Sequence, residues 1–422
     1  MWRHLTANFA DLIFSVSEAM DLADTVLADH QIRTAFVAAE LARAAGLDFE
    51  QTERLIIAAL LHDIGALSPE AKIGVHSGLD QRFDPHCLRG GKLLREASWL
   101  VPAAAIVEWH HTPIKKHLEA GRSLADFDVL GAQIVCLADH LEQAIRRDTF
   151  ILRQVDELRA TVHQFAGTLL HADVVALFDQ VSGNDCFWLE LVARDLGQQL
   201  RKRNLLRSVS LDHAAARALA GVFKDMTDFR VGFTVTHSTG VAACACGIGE
   251  VLGLVEKELQ QLELAGLVHD IGKLVVPNAI FCKPAKLTPE EYAVIRQHAY
   301  CSYQILSRVR GFEKVAKWAG HHHERLDGSG YCRGAKTADL DLGAIVLGVA
   351  DTAVAMAERR PYREPGNSSA VLGELRAMAG RGLLDILVVE ALADNYPSIS
   401  GRIQAARAEV ETRYRNHYAM IS

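Results

Sequence analysis

The chain has 422 residues, more than a single hydrophobic core usually contains, so two domains are expected. Half of the residues are hydrophobic and 23% are charged, a composition that is typical of globular proteins and excludes a disordered or fibrous chain. The formal net charge of −7 argues against a polymeric nucleic acid as partner, because its phosphates would require a basic surface.

The first segment, "MWRHLTANFADLIFSVSEAMDLAD", lacks the basic start and continuous apolar stretch of a signal peptide. No later segment reaches the roughly 18 uninterrupted apolar residues of a membrane helix. We therefore expect a cytoplasmic protein with no membrane partner. The eight cysteines are scattered, without a paired CxxC zinc motif, and are expected to be reduced thiols.

Along the chain, apolar residues recur at spacings of three and four, which predicts successive helices and an all-α fold. Residues 148–207 are predicted to form further helices, interrupted by "SGND" at 182–185. In "KLTPEEYAVIRQH", Thr288 is expected to cap a helix and Glu291 to complete a capping box, with Pro289 in the first helical position.

An internal repeat relates the two halves of the chain. "HQIRTAFVAAELARAAGLD" at 30–48 aligns with "HSTGVAACACGIGEVLGLV" at 237–255, and each is followed by a helical run that ends in His-Asp-Ile-Gly. Histidines recur at the same intervals in both halves: His30 and His62, like His237 and His269, are 32 residues apart, and His86 and His110, like His298 and His322, are 24 residues apart. The long period indicates two copies of one fold.

The repeat therefore predicts two tandem helical bundles, an N-terminal domain of residues 1–205 and a C-terminal domain of residues 206–422. We expect the two bundles to pack against each other within the chain. The sequence leaves the oligomeric state and any input signal open.

Each copy contains five histidines and two aspartates at matching positions. Neutral imidazoles with carboxylates suit Mn, Fe, Zn or Ni, and an aspartate beside a histidine can bridge two cations. Side chains from several helices converge inside a helical bundle, so the set predicts a two-metal site. Two cations about 3.5–4 Å apart can acidify a water and hold phosphoryl oxygens. This chemistry favours hydrolysis of a phosphate ester.

The second half contains "HDIGK" at 269–273, His298, "HHERLDGSGYC" at 322–332, Asp351 and "RPYR" at 360–363. Counted from His237, these motifs span about 130 residues and resemble the HD-GYP subgroup of the HD superfamily of metal-dependent phosphohydrolases. Members of the subgroup cleave bacterial cyclic dinucleotide second messengers, chiefly cyclic di-GMP, and some cleave cyclic GMP-AMP. The resemblance thus implies a cyclic dinucleotide phosphodiesterase.

By this resemblance, the C-terminal domain would hold two divalent metal ions, with Asp270 as the bridging ligand. Lys273 would reach a substrate phosphate or protonate the leaving oxygen, so Asp270 and Lys273 would be catalytic. The implied metal ligands are His237, His269, Asp270, His298, His322, His323 and Asp351. The implied substrate-binding residues are Lys273, Asp327, Gly328, Gly330, Tyr331, Arg360 and Arg363.

Several positions bear on these roles. We expect Asp327, Gly328 and Gly330 to form a tight turn with left-handed backbone angles. Cys332 replaces the proline of the GYP motif without removing a ligand. Phe233 stands where some members have a glutamate associated with a third metal, so two metals are predicted, with iron or manganese favoured and nickel or zinc open. On spacing alone, a single histidine could instead be a hydrogen-bonded core residue.

The first half keeps every ligand type but differs around it. Ala66 stands where Lys273 stands in the second half, and "HHTPIKKH" replaces the GYP-like segment. We expect a metal to bind there without phosphodiesterase activity, in a structural or regulatory domain. The implied ligands are His30, His62, Asp63, His86, His110, His111 and Asp139.

Three functions stay open from the sequence. The favoured function is hydrolysis of cyclic di-GMP or 3',3'-cyclic GMP-AMP to the linear dinucleotide, with further cleavage to monophosphates undecided. The second is a di-iron oxygenase, because such members of the superfamily use similar ligands. The third is a non-catalytic, nucleotide-binding scaffold, which the intact ligand sets disfavour.

Overall fold

The computed structural model describes residues 7–22, 28–76, 85–359 and 365–418. In these ranges the chain forms 22 α-helices, short 3-10 helices and one pair of two-residue strands. The all-α fold predicted from helical periodicity is confirmed.

The chain divides into two compact units. The N-terminal unit comprises Val16–Ala66 and Ala71–Val209, and the C-terminal unit comprises Met1–Ser15, Leu67–Glu70 and Ser210–Ser422. The division at residues 205 and 206 was predicted from the repeat alone. In the structure, the last and longest segment of the C-terminal unit begins at Ser210. Met1–Ser15 and Leu67–Glu70 also belong to this unit, because they contact residues far away in sequence.

The N-terminal unit contains most of α2 to α12 and the second part of α1, from Val16, whereas the first part of α1 and the first two residues of α4 belong to the C-terminal unit. Its helices are α1 Phe9–Asp21, α2 His30–Ala44, α3 Phe49–Leu61, α4 Pro69–His76, α5 Pro85–Arg95, α6 Val101–Trp109, α7 Ile114–Glu119, α8 Phe127–Gln143, α9 Val155–Gln164, α10 Ala172–Ser182, α11 Asp185–Leu191 and α12 Leu196–Lys202.

In the N-terminal unit, α2 packs on α3 and α8, and α6 contacts α3, α5 and α8. Helices α2 and α8 contact α10, and α2 also contacts α11. There the rings of Phe178 and Trp188 are fully buried and 6.1 Å apart. This core holds α2, α3, α6 and α8 in place around the polar cluster described below.

The C-terminal unit contains the remaining helices. They are α13 His213–Asp228, α14 His237–Val251, α15 Glu256–Val268, α16 Asn278–Phe281, α17 Pro289–Leu306, α18 Glu313–His321, α19 Leu342–Ala357, α20 Ser368–Gly380, α21 Ile386–Asp394 and α22 Tyr396–His417. Strands β1 (Ala7–Asn8) and β2 (Ser210–Leu211) pair antiparallel in this unit.

In the C-terminal unit, α14 is central and packs on α15, α19 and α22, while α17 packs on α18. Phe223 and Phe312 are fully buried in this core. The arrangement leaves the first residue of α14 and the last residues of α15 and α18 near one another, which sets the position of the candidate site.

The sequence repeat is also a repeat of helices. Helices α2 and α14 both have 15 residues, and α3 and α15 both have 13. Gly46 and Gly253, which follow α2 and α14, have φ angles of +67° and +76°. The next N–H bonds back to the last turn in both copies, the ending that a left-handed glycine allows. The Gly-Leu pair of each copy therefore ends its helix.

Local predictions hold in part. Thr288 caps α17, and its capping box with Glu291 is confirmed, with Pro289 in the first position. The "SGND" interruption is also confirmed, since α10 ends at Ser182 and Asn184 caps α11. The helices predicted on either side are shorter than expected, because α9 ends at Gln164 and residues 192–195 separate α11 from α12.

None of the helices in the described ranges combines the length and the apolar character needed to cross a bilayer.

Candidate metal centres

The C-terminal unit places its predicted metal ligands at and beside helix ends. His237 is the first residue of α14, while His269 and His322 are the C-caps of α15 and α18. Side chains at these ends reach past the last turn toward the centre of the bundle. The other predicted ligands follow these residues or lie on facing helices: Asp270, His298, His323 and Asp351.

Asp270 lies between two groups of imidazoles. Its Oδ2 is 3.4 Å from Nε2 of His237 and 3.2 Å from Nε2 of His269. Its Oδ1 is 3.4 Å from Nε2 of His298 and 3.8 Å from Nε2 of His322. The two oxygens of one carboxylate therefore face different groups, which is the arrangement a bridging ligand requires.

Asp351 completes the cluster from α19. Its Oδ1 is 3.3 Å from Nε2 of His237, and its Oδ2 is 3.7 Å from Nδ1 of His323. Two sets of residues could each hold an ion, because the ligand atoms within each set lie within 4.8 Å of one another. The sets are His237, His269 and Asp351, and His298, His322 and His323.

The ring nitrogens of these histidines are oriented by their outer hydrogen bonds. Nδ1 of His269, His298 and His322 donates to the carbonyl oxygen three residues earlier, at 2.8, 2.6 and 2.5 Å. A carbonyl can only accept, so in the neutral ring Nε2 presents its lone pair to the cluster. Nδ1 of His237 is instead 2.9 Å from Oε2 of Glu358.

The charge states also suit a metal. Burial, with neighbouring imidazoles adding to it, lowers the pKa of His322 to about 3, and burial lowers the pKa of His298 to about 4. Burial would raise the pKa of Asp270, but His269 and Lys273 outweigh it and hold that pKa well below its ordinary value. His298 and His322 are therefore neutral and Asp270 is ionised, which are the forms that bind metal, whereas the carboxylates around His237, Glu358 foremost, outweigh its burial and raise its pKa above the ordinary value.

The donor set therefore fits divalent cations. Nε2 of His269 and Oδ1 of Asp270 are buried and have no hydrogen-bond partner among the described residues. Buried polar atoms are rarely left unpaired, and ligation would satisfy both. The clusters in this unit are able to bind metal.

The glycine of His-Asp-Ile-Gly permits a close approach of two elements. A Cβ atom at Gly272 would lie 2.1 Å from the carbonyl oxygen of His298 on α17. The same holds in the N-terminal unit, where a Cβ at Gly65 would lie 2.0 Å from the carbonyl oxygen of His86. In both copies, the missing side chain lets the helix with the third histidine reach the aspartate.

Lys273 lies beside the cluster on a 3-10 helix, Ile271–Val275, that follows Asp270. Its ammonium pairs with Oδ2 of Asp270 and lies 5.6 Å from the centre of the Phe281 ring. Phe233, on which the prediction of two rather than three metals rested, packs its ring 5.8 Å from Phe281. An aromatic ring there offers no metal ligand.

The loop that follows His323, here the GYP-like loop (residues 324–336), is closed by Glu324. Its carboxylate accepts from the N–H groups of Arg333 at 2.7 Å and Ala335 at 2.9 Å. Asp327 is exposed and accepts from Ser329 N–H at 2.9 Å, so its carboxylate stabilises the loop itself.

The predicted left-handed angles are wrong at two of three positions. Gly328 has φ of +83°, whereas Asp327 and Gly330 do not adopt positive φ. Gly330 is required for a different reason, because a Cβ there would lie 2.4 Å from Cα of Glu324. The glycines thus serve one sharp turn and one close approach within the loop.

Tyr331, within this loop, packs against the metal cluster. Its ring centre is 4.7 Å from that of His323 and 6.0 Å from that of Tyr292, and the guanidinium of Arg296 lies 5.4 Å from it. Burial raises the pKa of its hydroxyl above the ordinary value, so the phenol stays neutral. The remaining predicted substrate residues, Arg360 and Arg363, lie outside the described residues.

The N-terminal unit repeats this geometry. Oδ2 of Asp63 is 3.5 Å from Nε2 of both His30 and His62, and Oδ1 is 3.3 Å from Nε2 of His86. Ala66 occupies the position of the lysine and is buried. Asp63 again faces two groups of imidazoles, but the position equivalent to Lys273 has a methyl group in place of an ammonium.

Asp139 completes the N-terminal cluster. Its Oδ1 is 3.3 Å from Nε2 of His30, and its Oδ2 is 3.7 Å from Nε2 of His111. His110 is the C-cap of α6, and its Nδ1 donates to Val107 O at 2.6 Å, as the equivalent histidine does in the other unit. All seven predicted N-terminal ligands are brought together.

Two families, both described as HD domain, match this chain: one over residues 221–388 and the other over residues 27–144. This chain is a tandem HD-domain protein. The superfamily inferred from the sequence motifs is confirmed, and each match covers one of the two metal-ligand clusters.

Curated relatives of this tandem HD-domain protein are phosphodiesterases. This chain is 28% identical over 398 residues to 3'3'-cGAMP-specific phosphodiesterase 1 of Vibrio cholerae, and the alignment covers 92% of each chain. It is 36% identical over 168 residues to a cyclic di-GMP phosphodiesterase of Thermotoga maritima, covering 39% of this chain and 45% of the relative. Similarity therefore extends over both HD domains in the first of these relatives.

The fold also resembles a solved structure. The crystal structure of a cyclic GMP-AMP specific phosphodiesterase of V. cholerae, V-cGAP3, superposes with a TM-score of 0.63 at 22% identity. The superposition covers 93% of this chain and 98% of that chain. At this identity, the likeness establishes the fold of the tandem HD-domain protein.

Sequence reasoning missed two buried glutamates in this tandem HD-domain protein. Glu358 contacts Nδ1 of His237 and pairs with Arg407, and Glu142 contacts Nδ1 of His30 at 2.5 Å. Both orient the histidine at the start of the first repeated helix. Glu358 follows the metal-ligand aspartate of its unit by seven residues, and Glu142 follows its own by three. The alignment of the two repeats therefore does not superimpose these glutamates and could not predict their role.

Proposed function

We propose that the C-terminal HD domain is a metal-dependent phosphodiesterase that opens a cyclic dinucleotide to its linear form. The observation that carries this proposal is the position of Lys273, a cation beside the aspartate whose oxygens face both groups of histidines. The N-terminal centre has the same ligand types and Ala66 instead. The names of the curated relatives support the same reaction class.

We infer that two divalent cations occupy the C-terminal centre, iron or manganese in preference to nickel or zinc, as the resemblance to the HD-GYP subgroup implies. When bound, such ions would acidify a water and neutralise charge on the phosphoryl oxygens. One would be held by His237, His269 and Asp351, the other by His298, His322 and His323, with Asp270 shared.

Lys273 would act on the substrate from the Asp270 side of the centre. Hydrolysis forms a bond between phosphorus and a water oxygen and breaks the bond to a ribose oxygen, which must gain a proton. The Lys273 ammonium is half-buried next to Asp270 and can donate that proton or bind a phosphate oxygen. Because the Lys273 ammonium is partly shielded from water, its charge would act strongly on the phosphate.

The GYP-like loop would hold the rest of the substrate. Tyr331 presents a ring next to His323, and an aromatic face there suits stacking with a base. We propose that Asp327, Gly328 and Gly330 keep the loop closed enough for this contact, and that Arg360 and Arg363 bind the second phosphate.

The relatives leave two substrates to be compared. The relative aligned over 92% of this chain is named for 3'3'-cGAMP, whereas other relatives, aligned over shorter parts, are named for cyclic di-GMP. We therefore propose a cytoplasmic enzyme of cyclic dinucleotide signalling and take 3'3'-cGAMP as the first substrate to test.

The experiment is a panel of cyclic dinucleotides incubated with the full chain, reconstituted with manganese or iron, and resolved by chromatography. We expect a linear dinucleotide from at least one member of the panel. His269→Ala and Asp270→Ala should abolish turnover together with C-terminal metal content.

Other outcomes would overturn the proposal. Oxygen consumption with an oxidised product and no phosphorus chemistry would identify an oxygenase. Stoichiometric nucleotide binding without any product, in protein that contains both metals, would identify a scaffold.

A further inference from the structure

The N-terminal centre contains a thiol that the C-terminal centre lacks. Cys87 follows His86 on α5 and is 7% exposed. Its Sγ is 3.6 Å from Nε2 of His86 and 3.9 Å from Nε2 of His110, and those two nitrogens are 3.3 Å apart. One donor atom of His111 lies within 4.8 Å of all three. Four donor atoms therefore surround one point.

These distances match the edges of a small tetrahedron. Zinc binds histidine nitrogen at about 2.1 Å and thiolate sulfur at about 2.3 Å, which corresponds to edges of about 3.4 Å between nitrogens and about 3.6 Å between nitrogen and sulfur. The observed separations among Cys87, His86 and His110 are close to these values.

The lone pairs point the right way. Nδ1 of His110 donates to Val107 O, so in the neutral ring its Nε2 can only accept from, or coordinate, the group that it faces. Oδ1 of Asp63, 3.3 Å from His86, is buried and has no hydrogen-bond donor among the described residues. A cation in this position would be attracted by both of these acceptors, the His110 lone pair and the Asp63 oxygen.

The second copy in the same chain supplies the comparison. The residue after His298, equivalent to Cys87, is Ala299. The C-terminal group is then three histidines, His298, His322 and His323, with no fourth protein ligand from this position. Catalytic zinc-type sites keep a position open for water, whereas structural sites are closed by four protein ligands. The thiol closes the N-terminal set.

We propose that His86, Cys87, His110 and His111 bind one zinc ion in a closed, structural site with three nitrogens and one sulfur. On binding, the Cys87 thiol releases its proton to solvent and coordinates as the thiolate. A soft thiolate selects zinc over manganese, so the two HD domains of one chain would hold different metals. This assignment goes beyond the proposed activity and does not depend on it.

A second thiol in this unit provides the matched control. Cys136 on α8 is buried, and its Sγ is 3.8 Å from Nδ1 of His140. It lies within 4.8 Å of donor atoms of His111 and His140, in a separate group from Cys87. It therefore tests whether any nearby thiol produces the same signal.

The experiment uses full-length protein stripped of metal and reconstituted with cobalt. We expect a near-ultraviolet absorption band from sulfur-to-cobalt charge transfer in the wild type and in Cys136→Ala. Cys87→Ala should lose the band and about one tightly bound zinc per chain, and should retain phosphodiesterase turnover. A band that survives Cys87→Ala, or that disappears only in Cys136→Ala, overturns the assignment.

A measurement on the unaltered protein covers the case in which Cys87→Ala does not fold. X-ray absorption at the zinc edge of protein containing one zinc per chain should show one sulfur at about 2.3 Å. A first shell made of nitrogen and oxygen alone overturns the assignment. Neither readout uses turnover, so failure of this site and failure of the proposed phosphodiesterase are distinguishable.

Discussion

Lys273 and Ala66 occupy equivalent positions in two otherwise similar centres. In the C-terminal unit, the Lys273 ammonium pairs with Asp270, and in the N-terminal unit the corresponding Asp63 has a buried methyl group at that position. The ligand cluster can bind metal in either case, because its donors are the same types. We therefore expect the difference in charge next to the aspartate to affect reaction rate rather than metal binding.

Lys273→Ala should keep both C-terminal metals and lower kcat by about 10²–10⁴-fold, the usual contribution of a positioned acid. Metal analysis and turnover of the cyclic dinucleotide check this together. Lys283→Ala, which removes an ammonium paired with Glu291 in the same unit, is the control and should leave kcat unchanged. If Lys273→Ala lost neither rate nor metal, the proposed role of Lys273 would be wrong.

Glu358 illustrates a role that depends on structure. It is 7% exposed and holds Nδ1 of His237, so that Nε2 faces Asp270 and Asp351. The sequence indicated the histidine through the repeat, but a glutamate at the end of α19 has no fixed spacing from it. The contact between Glu358 and His237 forms only because α14 and α19 pack against each other.

Glu358→Gln should weaken metal binding by about 10–100-fold, as loss of an outer partner of a ligating histidine usually does. Competition with a chelator measures the affinity, and excess metal should restore most of kcat. Glu390→Gln alters an exposed pair with Arg376 and serves as the control. Equal metal affinity in both variants would show that Glu358 does not position His237.

Helix ends bring most of the ligands together. The histidines at the start of α2 and α14 and at the ends of α3, α6, α15 and α18 occur at the same helix positions in both units. The sequence predicted the ends of α3 and α15, because His-Asp-Ile-Gly follows an apolar helical run in each half, whereas the ends of α6 and α18 were not predicted. The direction in which each helix points was decided by packing on α8 or α19.

Gly272 connects two of these elements, the 3-10 helix and α17. Gly272→Ala would place a methyl group 2.1 Å from a backbone oxygen, so the elements must separate. We expect a loss of about 1–3 kcal/mol in the free energy of unfolding and reduced C-terminal metal content. Thermal unfolding followed by circular dichroism, with metal analysis, checks both effects.

Gly373→Ala is the matched control for Gly272→Ala. Gly373 is exposed on α20, and a Cβ there meets no atom within 4 Å. Alanine should stabilise that helix by about 0.5–1 kcal/mol relative to glycine. If both variants shifted stability in the same direction, close approach at Gly272 would not be the cause.

Over the full chain, two copies of one helical fold have kept their metal ligands and diverged around them. The N-terminal unit lacks the lysine and the GYP-like loop and has gained Cys87 beside its third histidine. Six of the seven polar ligands there are buried, and such a group is stable only when its members are paired or bound to an ion. A structural role for this unit is consistent with that requirement.

His62→Ala should lower the free energy of unfolding of the N-terminal unit by about 1–3 kcal/mol, because it removes an imidazole that contacts both buried carboxylates, Asp63 and Asp139. Turnover by the C-terminal domain should survive. Differential scanning calorimetry and the dinucleotide assay measure the two effects. His163→Ala, at an exposed histidine of the same unit, is the control; unchanged stability with lost turnover in His62→Ala would contradict a structural role.

The sequence by itself determined the all-α fold, the tandem repeat, the HD motifs and the types of metal ligand. These follow from spacing, since helical periodicity and the intervals between histidines are properties of a linear chain. Tertiary structure alone decided which oxygen of Asp270 faces which histidines, that Glu358 and Glu142 orient a ring, and that the Cys87 thiol approaches His110. Those facts depend on distances between helices far apart in sequence, which packing of the apolar core fixes and local pattern does not encode.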